Sequence, residues 1–406
     1  MPHGDVVGSL LRPPELLHAR DALASGAMSP SDFQRIEDKA VDDAVALQRD
    51  AGLRIVTDGE MRRLSFQSAL PEAVEGFGEF DINAFLWGDW YGDDRVGNLS
   101  QPRPSTLGVT GKLKRTKPFA THEFAYLARA IAIASPAEQK PSASPAEQKP
   151  SASLAEQEPG EPAAEQQTIP KVTLPSPSLF ANFWSPQHST SAYPTIDAFL
   201  ADVANVLREE IADLVALGAT YIQLDAPHYP LVLDPAWADF YAAQGRSAND
   251  WMAQGVALDN AVMAGWPGVT FALHLCKGNQ GSRWLTSGGY EGLVAPVLAA
   301  TSAQRLMLEY DDARSGSFEP LRGVPDDKLV VLGLATTKRP DRESVIDVLK
   351  RFSDAADHFP IDQLGVSPQC GFATSIVGNA ITPDDQRRKL KVVADVADIL
   401  WGTSPP

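Results

Sequence analysis

Short apolar runs, separated by stretches of helical spacing, limit the possible folds of this chain more than any other feature. Nine such runs centre near residues 6, 55, 107, 172, 222, 272, 307, 330 and 365. Each ends in turn residues or acid, as a buried strand entering a loop does. Residues 31–52 keep Phe33, Ile36, Ala40, Val41, Ala44 and Leu47 on one helical stripe, with Ser31 as N-cap and Gly52 as stop. Residues 196–218 repeat the pattern with Phe199, Leu200, Val203, Leu207, Ile211 and Leu214. Further helices are predicted over 251–264, 292–301, 343–352 and 383–400. Strand–helix alternation on this scale predicts an α/β fold, a (β/α)8 TIM barrel forming one domain over residues 1–406. A barrel needs eight strands, so the runs near 107 and 172 include one extra or peripheral strand. Residues 76–104 carry Phe77, Phe80, Phe85, Trp87, Trp90 and Tyr91 among Gly and Asp. They read as an excursion over one barrel end, a lid or substrate wall.

One segment breaks the rhythm. Ser135-Pro136-Ala137-Glu138-Gln139-Lys140-Pro141-Ser142-Ala143 recurs over 144–152, and a third copy decays after Ser153. Its nine-residue period is too short for a solenoid unit and nearly free of large apolar side chains. Residues 135–168 are therefore expected to be a disordered low-complexity insert without catalytic work. The chain has 35 Lys and Arg against 52 Asp and Glu, a net charge of −17. That surface repels nucleic acid and anionic membranes. No apolar run is long enough to cross a bilayer. Met1-Pro2-His3-Gly4-Asp5 lacks the basic and apolar regions of a signal peptide. A cytoplasmic protein with small-molecule partners is expected. There the two cysteines, Cys276 and Cys370, suit metal binding better than a disulfide.

The chemistry gathers at strand ends. Phe271-Ala272-Leu273-His274-Leu275-Cys276 runs into Lys277-Gly278-Asn279. On a strand, positions two apart share a face, so His274 and Cys276 stand side by side as half of a tetrahedral zinc site. Glu309 closes the run Leu306-Met307-Leu308, and Cys370 follows Leu364-Gly365-Val366-Ser367-Pro368-Gln369. Together the four offer N, S, O and S, an acceptable zinc shell. The plainer reading stays open at this point: free cysteines are often small buried apolar residues, and a strand histidine is often a satisfied core residue.

The His-x-Cys run, the strand-ending Glu309 and Cys370-Gly371 resemble the zinc site of cobalamin-independent methionine synthase. The resemblance extends to Val7-Gly8-Ser9, Asp58-Gly59-Glu60 and Gln223-Leu224-Asp225. It covers that enzyme's C-terminal catalytic barrel, and the N-terminal barrel has no counterpart. It implies Zn2+ on His274, Cys276, Glu309 and Cys370, and a thiol pocket that includes Ser9. Arg12 is a candidate clamp for the substrate carboxylate. Glu60 and Asp225 would hold the substrate ammonium, and Trp184 would stack on the pterin of a folate donor. His228 is a candidate proton carrier or partner of the metal site.

A free thiol has a pKa of about 8.5 and is mostly protonated at neutral pH. Zinc deprotonates a coordinated thiol. Two thiolates and one carboxylate leave the site with a net −1, which suits a sulfur that stays nucleophilic. The expected activity is that of a zinc-dependent S-methyltransferase or S-alkyltransferase acting on a thiol such as homocysteine. The chain departs from the family in two respects: only one barrel is present, so half of the family's folate-binding environment is missing, and the loop Ala335-Thr336-Thr337-Lys338-Arg339-Pro340 has no His, where the family carries the proposed acid that activates the methyl donor. The donor therefore stays open among methylfolate, a methyl-corrinoid protein, another methylated metabolite and an epoxide. An epoxyalkane:coenzyme M transferase-like reading would need a sulfonate clamp, for which Arg12, Arg62 and Arg63 are candidates. A non-catalytic zinc-binding barrel is the remaining alternative. A metal hydrolase would want more His and fewer thiolates.

Overall fold

The computed structural model describes residues 1–78, 80–133, 167–243 and 245–402. The insert expected over 135–168 lies outside the described residues except for its last two positions. In chain order the strands are β1 (Ile55–Val56), β2 (Val74–Phe77), β3 (Gly88–Trp90), β4 (Leu99–Gln101), β5 (Val109–Arg115), β6 (Ile169–Pro170), β7 (Val172–Pro175), β8 (Tyr221–Asp225), β9 (Thr270–Leu275), β10 (Arg305–Glu309), β11 (Leu329–Ala335) and β12 (Leu364–Pro368). Strands β7 to β12 form a six-stranded parallel sheet in sequential order. Every residue of β8, β10 and β12 is buried, as expected of strands covered on both faces.

The edges of this sheet are extended by shorter pairings. Strand β1 pairs in parallel with β6, which leads directly into β7. The chain near its start was expected to be a strand but makes only a parallel bridge from Gly4 to Val366 of β12. Asp5 N–H donates to Val366 O at 2.9 Å, and Val366 N–H to His3 O at 2.9 Å. On its other side the Thr57 hydroxyl donates to Gly8 O at 2.6 Å and Leu10 N–H to Gly59 O at 3.0 Å. Residues 3–10 thus lie between β12 and β1. The run near 107 begins later than expected, as β5, and pairs antiparallel with β2 away from the main sheet. It is the peripheral strand. Strands β3 and β4 form a separate antiparallel pair within the aromatic excursion.

The helix expected over 31–52 is Pro30–Asp50, and Ser29, not Ser31, caps it by accepting from Asp32 N–H. Pro30 explains the difference: its missing N–H costs nothing at the first helical position, so the helix starts there. Residues 196–218 form the Ile196–Ala216 helix. Residues 292–301 do not make an α-helix. They form a 3-10 turn at Glu291–Leu293 and a π turn at Val294–Leu298. Pro296 sits in that turn with no N–H to give to an α-helical ladder.

The two ends of the parallel sheet differ in chemistry. At the N-terminal end Lys171 Nζ donates to Asp5 Oδ1 and Gln223 Oε1 at 2.8 Å each, and the Tyr221 hydroxyl donates to Asp5 Oδ2 at 2.5 Å. Arg305 lies 3.3 Å from the same carboxylate. Removing one partner would strand a buried charge, so this network plugs that end. The C-terminal ends of β8, β9, β10 and β12 carry the residues considered next. Among the described residues no helix is long and apolar enough to cross a membrane.

Candidate metal centre and substrate cavity

Parallel register sets Asp225 of β8 beside His274 of β9. Their contact is a 2.8 Å hydrogen bond from His274 Nδ1 to Asp225 Oδ1, which also accepts from Gln223 Nε2 at 2.7 Å. An acceptor-only carboxylate at Nδ1 puts the proton there. In the neutral ring Nε2 is then a bare lone pair, and it is buried with no protein partner; burial lowers the pKa of this imidazole, but Asp225 and Cys276 outweigh it and leave it raised. Cys276 follows β9 on the same side of the strand, and Cys370 follows β12. Ligand atoms of His274, Cys276 and Cys370 all lie within 4.8 Å of one another, and all three residues are buried. The neighbouring Cys370 thiol is the leading reason that the Cys276 thiol is lowered to about 7, against the opposing effect of burial. Cys370 in turn is pushed well up by its neighbour Cys276 and by burial.

Two glycines make the approach possible. Gly278 has φ +87°, and a Cβ there would meet Leu285 N at 2.9 Å, closing the tight turn in which Leu285 N–H bonds to Lys277 O. Gly371 follows Cys370, and a Cβ there would collide with the Ser9 hydroxyl.

Glu309 stands beside the three-residue set without belonging to it. Its Oε2 accepts from Lys277 N–H at 2.8 Å, and its Oε1 faces Arg314 Nη1 at 3.1 Å and Lys338 Nζ at 3.7 Å. Burial pushes this carboxyl up, but Lys338 and Arg314 outweigh it and hold it down at about 2. Lys338 comes from the loop over residues 335–340, which has no His.

The set opens onto a cavity. Ser9, Glu60, Asp225 and His228 line it with His274, Cys276 and Cys370. Glu60 has a positive φ of 55°, which is strained for a side chain of its size and places it at the cavity edge. Its Oε1 accepts from the Thr173 hydroxyl at 2.8 Å, while Oε2 is buried with no partner. Burial is also the main reason its pKa is raised. The upper wall is apolar: Phe85, Leu86, Trp87 and Trp90 come from the expected aromatic excursion, joined by Trp237. Trp87 and Trp237 pack with ring centroids 4.9 Å apart. Among the described residues no Lys or Arg lines the cavity.

Two sequence candidates point elsewhere. Arg12 gives its guanidinium to backbone: Nη2 to Glu60 O at 2.7 Å and Arg63 O at 3.1 Å, Nη1 to Ala373 O. It braces the Glu60 loop from behind. Trp184 donates from Nε1 to Tyr193 O at 3.1 Å and is packed outside the cavity lining. Arg62 pairs with Glu37 and Asp38, and Arg63 with Glu123, so neither offers a clamp to the cavity. Trp237, Asn279, Gln280 and Gln67 line the cavity but were not singled out from sequence. Only Asn279 carried a signal, directly after the His-x-Cys run. Its Nδ2 donates to Gly371 O at 2.7 Å and ties the two cysteine loops together.

Residues 192–398 match the family model described as the catalytic domain of the cobalamin-independent synthase. The chain belongs to the cobalamin-independent synthase family. The match takes in Asp225, His228, His274, Cys276, Glu309 and Cys370, while Ser9, Arg12, Glu60 and Trp184 precede it. The uncharacterized protein YxjH of Bacillus subtilis (strain 168) is 30% identical over 98% of this chain and 94% of its own length. A methionine synthase of Sulfolobus acidocaldarius is 23% identical over 90% of this chain and 84% of its own. In fold the chain is similar to a B12-independent methionine synthase from Shewanella sp. W3-18-1, solved with selenomethionine: TM-score 0.66, 18% identity, 98% of both chains. Both of these methionine synthases are close to this chain in length.

Proposed function

We propose that the protein is a zinc-dependent S-methyltransferase that activates homocysteine or a closely similar thiol. The observation that carries this reading is the convergence of His274, Cys276 and Cys370 with the imidazole Nε2 bare and buried. A neutral imidazole nitrogen and two sulfurs, one with a lowered pKa, fit the preferences of zinc. His274 Nε2 and the two Sγ atoms would hold the ion, with Glu309 as the fourth candidate. Bound there, zinc would lower the pKa of an incoming thiol and keep its sulfur nucleophilic.

The chain's own residues would do the rest. Glu60 Oε2 and Asp225 would accept from the substrate ammonium, and Ser9 would meet its carboxylate. The aromatic wall would exclude water while the sulfur attacks the donor's methyl carbon. As the S–C bond forms, the donor–C bond breaks and its electron pair leaves with the donor. Holding the two reactants in line contributes much of the rate. The apolar, cation-free wall favours a donor that presents its methyl on a neutral face. It gives no support to a sulfonate-bearing thiol. We also read the architecture as a closed eight-stranded barrel, in which residues 3–10 and β1 complete the ring begun by β7 to β12. The hydrogen bonds of residues 3–10 to both β12 and β1 support this.

Zinc content by mass spectrometry is the first test. Cys276→Ser and Cys370→Ser are each expected to lose zinc and methyl transfer together; a folded variant with full zinc would overturn the assignment. Zinc-edge X-ray absorption then separates an enzyme from a non-catalytic zinc barrel. Adding homocysteine should add a sulfur ligand, since all three candidate ligands border the cavity. An unchanged spectrum would favour the non-catalytic barrel.

A further inference from the structure

We propose that His228 is a third acceptor for the substrate ammonium, its Nδ1 kept as a bare lone pair by a hydrogen-bond chain that ends on Asp259. This rests on the reading of the cavity as an amino-acid thiol site. His228 opens the short helix His228–Val232 that follows β8, and it borders the same cavity as Glu60 and Asp225. Its Nε2 lies 2.8 Å from Ser178 Oγ. Ser178 Oγ lies 3.1 Å from Ser176 Oγ, and Ser176 donates to Asp259 Oδ1 at 2.6 Å. The Tyr229 hydroxyl donates to Asp259 Oδ2 at 2.6 Å.

The direction of this chain follows from its end. An ionised carboxylate only accepts, so Ser176 gives its hydrogen to Asp259. The Ser176–Ser178 contact must then use the hydrogen of Ser178. Ser178 has none left for the imidazole and must accept from Nε2–H. A neutral ring with its proton on Nε2 has none on Nδ1. That Nδ1 is buried and has no protein partner. Burial also lowers the His228 pKa to about 3, so the ring is neutral at working pH and does not repel a cation. Burial raises the Asp259 carboxyl to about 6, which leaves it ionised at neutral pH and above.

Among the described residues the cavity lining has no Lys or Arg and several buried acceptors without a partner, Gln67 Oε1, Asn279 Oδ1 and His274 Nε2 among them. Glu60 Oε2 and His228 Nδ1 are two more. Asp225 Oδ1 is committed to His274 and Gln223, and among the described residues none donates to its Oδ2. An ammonium has three N–H bonds to place. Of these acceptors Glu60 and Asp225 carry the negative charge that suits an ammonium, and His228 Nδ1, its tautomer set by the chain to Asp259, offers the third bond.

Two measurements test this. Nitrogen-15 shifts of the histidine rings in the unaltered protein should show His228 protonated on Nε2; protonation on Nδ1 would overturn the proposal. The zinc-loaded protein should prefer homocysteine to its des-amino analogue, the same thiol acid without the amino group. By calorimetry that preference should fall at least about tenfold in His228→Leu, the worth of one hydrogen bond with a charged donor. His228→Asn, which keeps an acceptor oxygen, should restore most of it. An unchanged preference in His228→Leu would sink the proposal and leave the zinc chemistry standing. If the unaltered protein bound neither thiol, both would fall.

Discussion

His274 turns one ring nitrogen to Asp225 and leaves the other bare, and that division of labour is what a metal ligand requires. The carboxylate fixes the tautomer and raises the basicity of the far nitrogen. Asp225→Asn is therefore expected to weaken zinc binding by roughly 10- to 100-fold while the fold persists. Chelator competition measures it, and an affinity equal to that of the unaltered protein would remove Asp225 from the account. At this scale the sequence was legible where spacing alone determines neighbours: His274 and Cys276 share a face because a strand has a period of two. It was not legible for Arg12 and Trp184. A long guanidinium can reach into a cavity or back to carbonyls, and here three backbone carbonyls claim it. A tryptophan looks the same from sequence whether it is packed or poised, which hid Trp237, on the Pro235–Ala242 helix, as well.

Among elements, the long helices were the most readable, since Pro30–Asp50, Ile196–Ala216 and Pro383–Trp401 each bury one stripe and start on a side chain that accepts from the first turn. The Pro383–Trp401 helix shows the device in full: Thr382 accepts from Asp385 N–H, and the Asp385 side chain accepts from Thr382 N–H. Thr382→Ala should cost about 1 kcal/mol of stability and leave zinc content unchanged, as read by urea unfolding and metal analysis. A loss of zinc in that variant would show that the helix start is coupled to the metal centre. The strands were harder. The run near residue 6 has the composition of a strand, but its hydrogen bonds alternate between two neighbours and leave only one ladder bridge. Stretches 107 and 172 could not be ranked by pattern, because both are apolar. Only pairing separates them: β5 lies antiparallel beside β2, and β7 parallel beside β8.

For the whole molecule, buried charge makes stability depend on pH in a way that one residue can isolate. Asp259 is raised from 3.8 to about 6 by burial. The folded state holds that proton more tightly than the unfolded chain does. Its contribution is therefore fully present below about pH 4 and lost as pH rises through about 6. The gap corresponds to roughly 3 kcal/mol at most. Asp259→Asn cannot titrate, so the stability difference between the unaltered protein and this variant should shift against the unaltered protein across that window. Urea midpoints at several pH values give the comparison, and a difference independent of pH would show that Asp259 does not titrate there.

The amino-acid sequence by itself determined the order of strands and helices and the chemical types at the strand ends. Both are local properties: periodicity repeats within one segment, and a sulfur or imidazole is the same group wherever it lies. Tertiary structure alone decided that Cys370 meets Cys276, that Glu309 faces Arg314 and Lys338, and that His228 is tied to Asp259 through two serines. Those partners come from segments far apart along the chain, and only the packing of one strand end against the next brings their atoms within reach.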